Sequence, residues 1–299
     1  MFSVQDFYSA AHAKWILAGE HSVVRGLSAL VFPLHAKTMT LQYQDNHKPL
    51  DADFEGDQGE DLHLLFWSVL EHGLKKIHRD LNHTTGHFAL INHIPIGAGL
   101  GASGALCSNL SRWFAWKQWI ASEDIFEFSR FLEDLFHGKS SGLDIAGSLY
   151  DTGLHFKPQG LKAPIIEPIQ PKWQPKWYLS FSGHIGMTSH CVKKVMQMHE
   201  NSPVEGKHWD AQMETSVEKA KNALLSPQAV GLPLLVQAIT EAGACFKAWG
   251  LLSSDLTSHM QNLLDAGALA AKPTGSGGGG YVLSLWDKKP SLSLGLIAV

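Results

Sequence analysis

Glycine is concentrated in two short runs of this 299-residue chain, and both have the composition of a loop that holds an anion. The first is Pro95-Ile96-Gly97-Ala98-Gly99-Leu100-Gly101-Ala102-Ser103-Gly104, lying between an apolar stretch and the proline-free apolar segment 105–120. Backbone N–H groups converging at a helix N-terminus bind phosphate, because the unpaired donors and the helix dipole both favour negative charge and glycine permits close approach. The second run is Lys272-Pro273-Thr274-Gly275-Ser276-Gly277-Gly278-Gly279-Gly280. Its composition fits a flexible linker, but it leads directly into the apolar segment 281–286, so close approach of backbone explains it better.

Two familiar signatures overlap these residues, and context weakens both. Residues 99–104 fit GxGxxG, with Glu123 roughly 20 positions on, where a dinucleotide-binding fold puts its ribose-binding acid. That fold requires a second parallel strand ending in the acid, whereas Glu123 opens another helical pattern. Gly138-Lys139-Ser140-Ser141-Gly142 satisfies GxSxG, but it follows a helix rather than the strand of a nucleophile elbow. A Walker A reading fails because position 133 is glutamate rather than glycine.

The elements that must position these loops can be read from periodicity. The first 40 residues mix apolar and β-branched runs at 15–17, 22–24 and 30–34 with Gly19 and Gly26, as strands joined by tight turns do. Leu62, Leu65, Phe66, Val69, Leu70 and Leu74 recur at helical spacing, and 87–94 returns to alternation. The first glycine run is thus a strand-to-helix loop. A following helix starts with Ser122 as N-cap, carries Ile125, Phe128, Phe131, Leu132 and Leu135 on one face, and stops near Gly138. Prolines at 158, 164, 168, 171 and 175 exclude helix and mark a crossing between domains, dividing the chain at 1–172 and 173–299. Beyond it, 177–181 and 281–286 have strand character.

Composition limits the rest. With 24 Lys and Arg against 28 Asp and Glu, a net charge of −4 leaves no electrostatic footprint for nucleic acid or an anionic membrane. The most apolar stretches, such as 230–239, are short of the ~20 residues that cross a bilayer, and no secretory signal precedes them, so the expected compartment is cytoplasmic. Three widely spaced cysteines, 107, 191 and 245, form neither a disulfide framework nor a zinc motif. Trp113, Trp116 and Trp119 read as helix packing, and the histidines between 63 and 93 as surface and packing residues.

Taken with the N-terminal segment, the glycine runs become specific. Residues 13–26, Ala13-Lys14-Trp15-Ile16-Leu17-Ala18-Gly19-Glu20-His21-Ser22-Val23-Val24-Arg25-Gly26, resemble the first motif of the GHMP kinase superfamily, and GEHxVVxG looks most like its mevalonate kinase branch. Residues 95–104 resemble the family's ATP-phosphate motif, and 274–280 its third motif. The resemblance implies a two-domain α/β (α+β) fold, with a ribosomal protein S5 domain 2-like N-terminal domain and a ferredoxin-like C-terminal one. It also implies transfer of the ATP γ-phosphoryl group to an alcohol, mevalonate, on the route to isoprenoids. A homodimer is compatible with it.

By the same resemblance, residues 95–104 cradle ATP, Ser103 and Glu133 hold Mg²⁺, and Asp144 faces the acceptor hydroxyl with Lys14 beside it. Glu20, His21, Thr274, Gly275, Ser276 and Gly277 line the substrate side with Lys14 and Asp144. The chemistry suits these types: Mg²⁺ needs few protein oxygens when phosphate and water supply the rest, and phosphoryl transfer needs mainly positioning and positive charge. Asp144 accepts the hydroxyl proton or orients it, and His21 could donate to a hydroxyl or carboxylate. Taken singly, Lys14 reads as a surface lysine, Glu133 as a solvated helix residue and Ser103 as a cap, and three ordered motifs reverse this; Asp144 has a competing reading as a helix or turn cap, and His21 stays open between a substrate contact and a packed core histidine. Departures are His12-Ala13 for the usual Pro-Gly, Ala102 and Gly104 around Ser103, Pro273 before Thr274, and Ser180-Phe181-Ser182-Gly183 where many relatives carry an aspartate. The remaining alternatives are another GHMP small-molecule kinase, of phosphomevalonate, sugar or homoserine type, and a catalytically silent nucleotide-binding relative.

Overall fold

The computed structural model describes residues 6–160, 162–290 and 295–299. They form two compact units that interleave along the chain: residues 6–13, Leu34–Ile96 and Gly101–Asp151 in the first, and Lys14–Pro33, Gly97–Leu100 and the described residues from Thr152 onward in the second. Strands β1 (Phe7–Ala18) and β2 (Ala29–Pro49) each run from one unit into the other.

In the first unit, β4 (Thr85–Asn92) pairs antiparallel with β2, Met39 opposite Asn92, and parallel with β3 (Asp51–Gly56), Asp51 opposite His87. Alternation along β4 sends Phe88 and Leu90 inward, where α1 (His63–Lys76) contributes Phe66, Val69, Leu70 and Leu74. Helix α2 (Ala102–Trp116) is buried along most of its length, including Leu106, Leu110, Trp113 and Phe114, and α3 (Ile125–His137) and α4 (Leu143–Leu149) pack on it. Phe114 leaves no room for a side chain at Gly73, whose added Cβ would lie 2.7 Å from its ring. Ser122 opens a 3₁₀ turn, Ser122–Asp124, and makes no capping bond; α3 begins three residues later and stops at Gly138 as expected. The acidic β3 segment alternates only Ala52 and Phe54 with Asp51, Asp53 and Glu55, and its pairing with β4 completes it as a strand.

In the second unit, the first residues of β2 pair with β5 (Leu154–Gln159), and β5 with β6 (Lys162–Pro168). The proline-dense segment is therefore partly a strand rather than a bare crossing. β6 ends its sheet, and an edge strand tolerates the missing N–H groups of Pro164 and Pro168. The expected strand run at 22–24 is instead a 3₁₀ turn, Ser22–Arg25, closed by Gly26. A second sheet, in the order β10 (Ile297–Ala298), β7 (Lys176–Phe181), β9 (Tyr281–Trp286), β8 (Ala270–Pro273), is antiparallel throughout. It is joined by α5 (Thr188–Asn201), α6 (Pro203–Leu224), α7 (Gln228–Ala248) and α8 (Ser254–Asp265).

Helix α7 corrects one expectation: its 21 residues contain an 18-residue stretch of mean hydropathy 1.5, long and apolar enough to cross a bilayer by length and composition. In this fold, however, Leu235, Ala238, Ile239, Ala242 and Phe246 form a buried stripe at helical spacing, and the helix packs on α6 and β8.

Candidate active site

Within the first unit, a corner forms where the first turn of α2 meets Glu133 and Asp144. Gly101, with φ 78°, turns the chain into α2 and offers no side-chain cap, so the early N–H groups of Ala102, Ser103 and Gly104 are left for a ligand. A Cβ on Gly104 would lie 3.2 Å from both the Asp144 carbonyl and Glu133 Oε1, which is why the next residue after Ser103 has no side chain. Glu133 is buried on α3, one oxygen accepting from the Ser140 hydroxyl, which in turn accepts from the Gly142 N–H at 3.0 Å. Ser140 N–H donates to Asp134 Oδ1 at 2.6 Å, and Leu143 N–H to Ser141 Oγ at 3.2 Å. These bonds set the turn from which Asp144 projects in the first turn of α4. Cys107, one helical turn after Ser103, has its thiol pushed up by burial and then by the Glu133 charge.

Ser103 in the first turn of α2 and Glu133, whose Oε1 lies against Gly104, are hard oxygen donors of the type that suits Mg²⁺ completed by phosphate and water. No group of three or more His, Cys, Asp or Glu that could form an all-protein cage occurs among the described residues.

Within the second unit, the two glycine runs lie against each other. Buried Lys14 on β1 donates its backbone N–H to Leu100 O at 2.9 Å and its ammonium to Gly99 O at 3.1 Å. A Cβ on Gly99 would sit 3.2 Å from Thr274 O, and one on Gly275 3.0 Å from Gly99 O, so only glycine lets these backbones come this close. Thr274 is fully committed: its hydroxyl accepts from Ile16 N–H at 2.8 Å and donates to Ile16 O at 3.1 Å. Ser276 bonds the Thr188 hydroxyl through Oγ, and Gly277 O accepts from the Cys191 thiol at 3.3 Å.

Glu20 and His21 sit on the turn after β1. Buried Glu20 pairs with Lys272, itself fully buried in β8. His21 is buried with φ 61° and ψ −45°, a backbone region unfavourable for a residue with a Cβ. Its Nε2 lies 2.9 Å from Ser276 O. A carbonyl oxygen only accepts, so Nε2 carries the proton. Burial lowers the ring's pKa to about 4, leaving it neutral with Nδ1 as an acceptor. The geometry thus uses up the donor that sequence reasoning offered to a substrate.

Sequence reading missed the residues that hold this turn. Asp210 and Glu214, one turn apart on α6, receive the Arg25 guanidinium and the N–H and hydroxyl of Ser28, the latter two at 2.8 Å, while Met213 Sδ accepts from Gly19 N–H at 3.2 Å. Two acids four apart on a helix look like a solvated face, and only the fold shows their partners. At the departure in 180–183, Ser180 is buried and its hydroxyl bonds His259 Nε2 at 2.7 Å.

Residues 65–152 match the family model for the GHMP kinases N terminal domain. Among curated proteins it is 28% identical over 310 residues to the mevalonate kinase of Thermococcus onnurineus, covering 95% of this chain and 90% of that one. Among solved structures, the mevalonate kinase of L. major in complex with R-mevalonate superposes with a TM-score of 0.77 at 22% identity, over 96% of this chain and 89% of the other. Lactococcus lactis galactokinase complexed with galactose gives 0.76 at 13% identity, over 94% and 86%. The GHMP kinase fold is thereby shared with proteins of different acceptors, and the fold alone does not choose among them.

Proposed function

We propose that this chain is an ATP- and Mg²⁺-dependent kinase that phosphorylates the primary hydroxyl of (R)-mevalonate, giving 5-phosphomevalonate for isoprenoid synthesis in the cytoplasm. The observation that carries it is the corner at Gly104, which joins the open N-terminus of α2 to Glu133 and the Asp144 turn. The similarity to mevalonate kinases over nearly the whole chain supports mevalonate over sugar acceptors.

In this reading the substrate oxygen attacks the γ-phosphorus in line, the bond to the ADP oxygen breaks, and the hydroxyl proton passes to the Asp144 carboxylate or is oriented by it. Residues 95–104 hold the phosphates through backbone N–H groups. Ser103 and Glu133 would hold Mg²⁺, which supplies charge neutralisation at the phosphate oxygens. Lys14 stabilises developing negative charge while fastening the loop through Gly99. His21 supplies an acceptor for a substrate hydroxyl, and Gly275, Ser276 and Gly277 shape that side; the Thr274 hydroxyl braces β1. The functional division follows the motifs, with the phosphate loop and Asp144 in 1–172 and the third motif in 173–299.

ADP release from purified protein, measured with mevalonate, phosphomevalonate, galactose and homoserine, tests this. Mevalonate-dependent turnover above the other three is expected. Background turnover with mevalonate and clear turnover with another acceptor would transfer the assignment to that acceptor, and background with all four would leave a nucleotide-binding relative without kinase activity.

A further inference from the structure

A lysine and a glutamate buried to this degree are costly. Lys272 is 0% exposed and Glu20 2%, and taking both charges out of water offsets most of their attraction, so such a pair is a poor source of stability. Its best-attested use is to fix one arrangement of the chain among several. Three features indicate which arrangement. Lys272 Nζ also donates to Ile16 O at 3.3 Å, the same carbonyl that accepts from Thr274. Glu20 uses one oxygen on Lys272, while Oε2 is buried with no hydrogen-bond partner among the described residues, so the carboxylate is held by its link to Lys272 rather than by a surrounding network. The next residue is His21, in a backbone conformation that persists only where the surroundings impose it.

We propose that Lys272 is a positioning residue for acceptor recognition: by pinning Glu20 to β1 and β8 it fixes the turn that presents the Nδ1 acceptor of His21. The inference rests on the kinase reading for its substrate and adds a residue that no motif role had assigned. The charged and titratable groups facing the pair are Lys14 from β1 and Cys245 from α7, with the Phe246 ring 5.3 Å from the ammonium. Burial pushes the Glu20 carboxyl up, and Lys272 is the largest influence pulling it back down. Removing Lys272 therefore leaves a carboxyl that protonates more readily.

The test separates position from stability. Lys272→Met strands a buried acid and lowers the thermal midpoint, whereas Lys272→Met/Glu20→Leu removes both charges and recovers it. Both variants are expected to raise the KM for mevalonate roughly tenfold or more, with the KM for ATP within about twofold of the parent. Recovery of the midpoint without recovery of the acceptor KM is the result a merely structural pair would not give. Glu20→Asp, which keeps both charges on a shorter arm, should raise the same KM by a smaller factor and guards against a misfolded double variant. An NMR readout is independent of activity: the His21 Nε2–H signal, sheltered against Ser276 O in the parent, should broaden or vanish in the double variant. A double variant with parental acceptor KM, or with both KM values raised equally, overturns the proposal. If the parent turns over no acceptor, the kinase reading fails first, and retention of the His21 signal in the double variant then overturns the Lys272 assignment separately.

Discussion

The corner around Asp144 and the clamp around Lys272 solve opposite problems. In the corner, the bonded partners Glu133 and Ser140 are 7 residues apart, and the carboxylate of interest projects from the first turn of a short helix. In the clamp, Glu20 and Lys272 are 252 residues apart, and Ile16 and Thr274 are 258 apart. The Asp144 turn is set by local bonds, is packed against Gly104 and leaves its side chain half-buried; the clamp is assembled only by tertiary packing and is sealed. The half-buried Asp144 side chain should therefore tolerate replacement better than either member of the sealed Glu20–Lys272 pair replaced alone.

That contrast can be broken most forcefully at Asp144. Asp144→Asn preserves size and helix position while removing the carboxylate charge, so on the proposed mechanism turnover should fall by roughly 10²–10⁴-fold with ATP affinity and the thermal midpoint nearly unchanged. Steady-state kinetics beside an equilibrium nucleotide titration checks this, and a variant with parental turnover would take Asp144 out of the chemistry.

On the clamp side, His21 should show its neutral state in the pH dependence of stability. Its folded pKa, about 4, lies below the ordinary value of 6.5, so the unfolded chain binds more protons between those limits. The stabilisation is complete above about pH 6.5 and is lost as pH falls towards 4, amounting to roughly 3 kcal/mol at full extent. Denaturant unfolding across that range, as the difference between parent and His21→Gln, measures it; an unchanged difference would show that His21 is free to ionise. Thr274→Val should be the next largest, costing about 1–3 kcal/mol in denaturant unfolding because it strands the N–H of Ile16 in the interior and leaves its carbonyl only the longer bond from Lys272. The smallest effect is expected at Ser122→Ala, within about 0.5 kcal/mol, since Ser122 makes no capping bond. At the true cap Ser253, whose hydroxyl accepts from Leu256 N–H at 3.2 Å, the same change should cost about 1 kcal/mol.

The same contrast explains how much could be read from the sequence. Helices α1 and α3 and strand β4 follow from period, because each buries one face or stripe, whereas α2, β7 and β9 follow from nearly continuous apolar runs. The two glycine runs announce themselves, since close backbone approach forbids a side chain. Strand β3 was harder to read, because its alternation rests on Ala52 and Phe54 alone among three acids and its pairing with β4 completes it. Strand β6, where prolines masked an edge strand, could not be read, nor could the turn at 22–25, where two valines imitate a strand. The grip of Asp210 and Glu214 on the first motif and the pairing of Lys272 with Glu20 were equally hidden, because a charged residue on a helix or beside a glycine run is ordinarily solvated. Resemblance to the GHMP kinases named Ser103, Glu133, Asp144 and Lys14; geometry added what restrains them.

The central claim is that the phosphoryl group lands on the alcohol of mevalonate. Phosphorus NMR of purified protein with ATP, Mg²⁺ and (R)-mevalonate tests it directly. A new phosphomonoester resonance growing in step with ADP, and absent without mevalonate, is the predicted result; ADP accompanied only by inorganic phosphate, or no ADP at all, would contradict it.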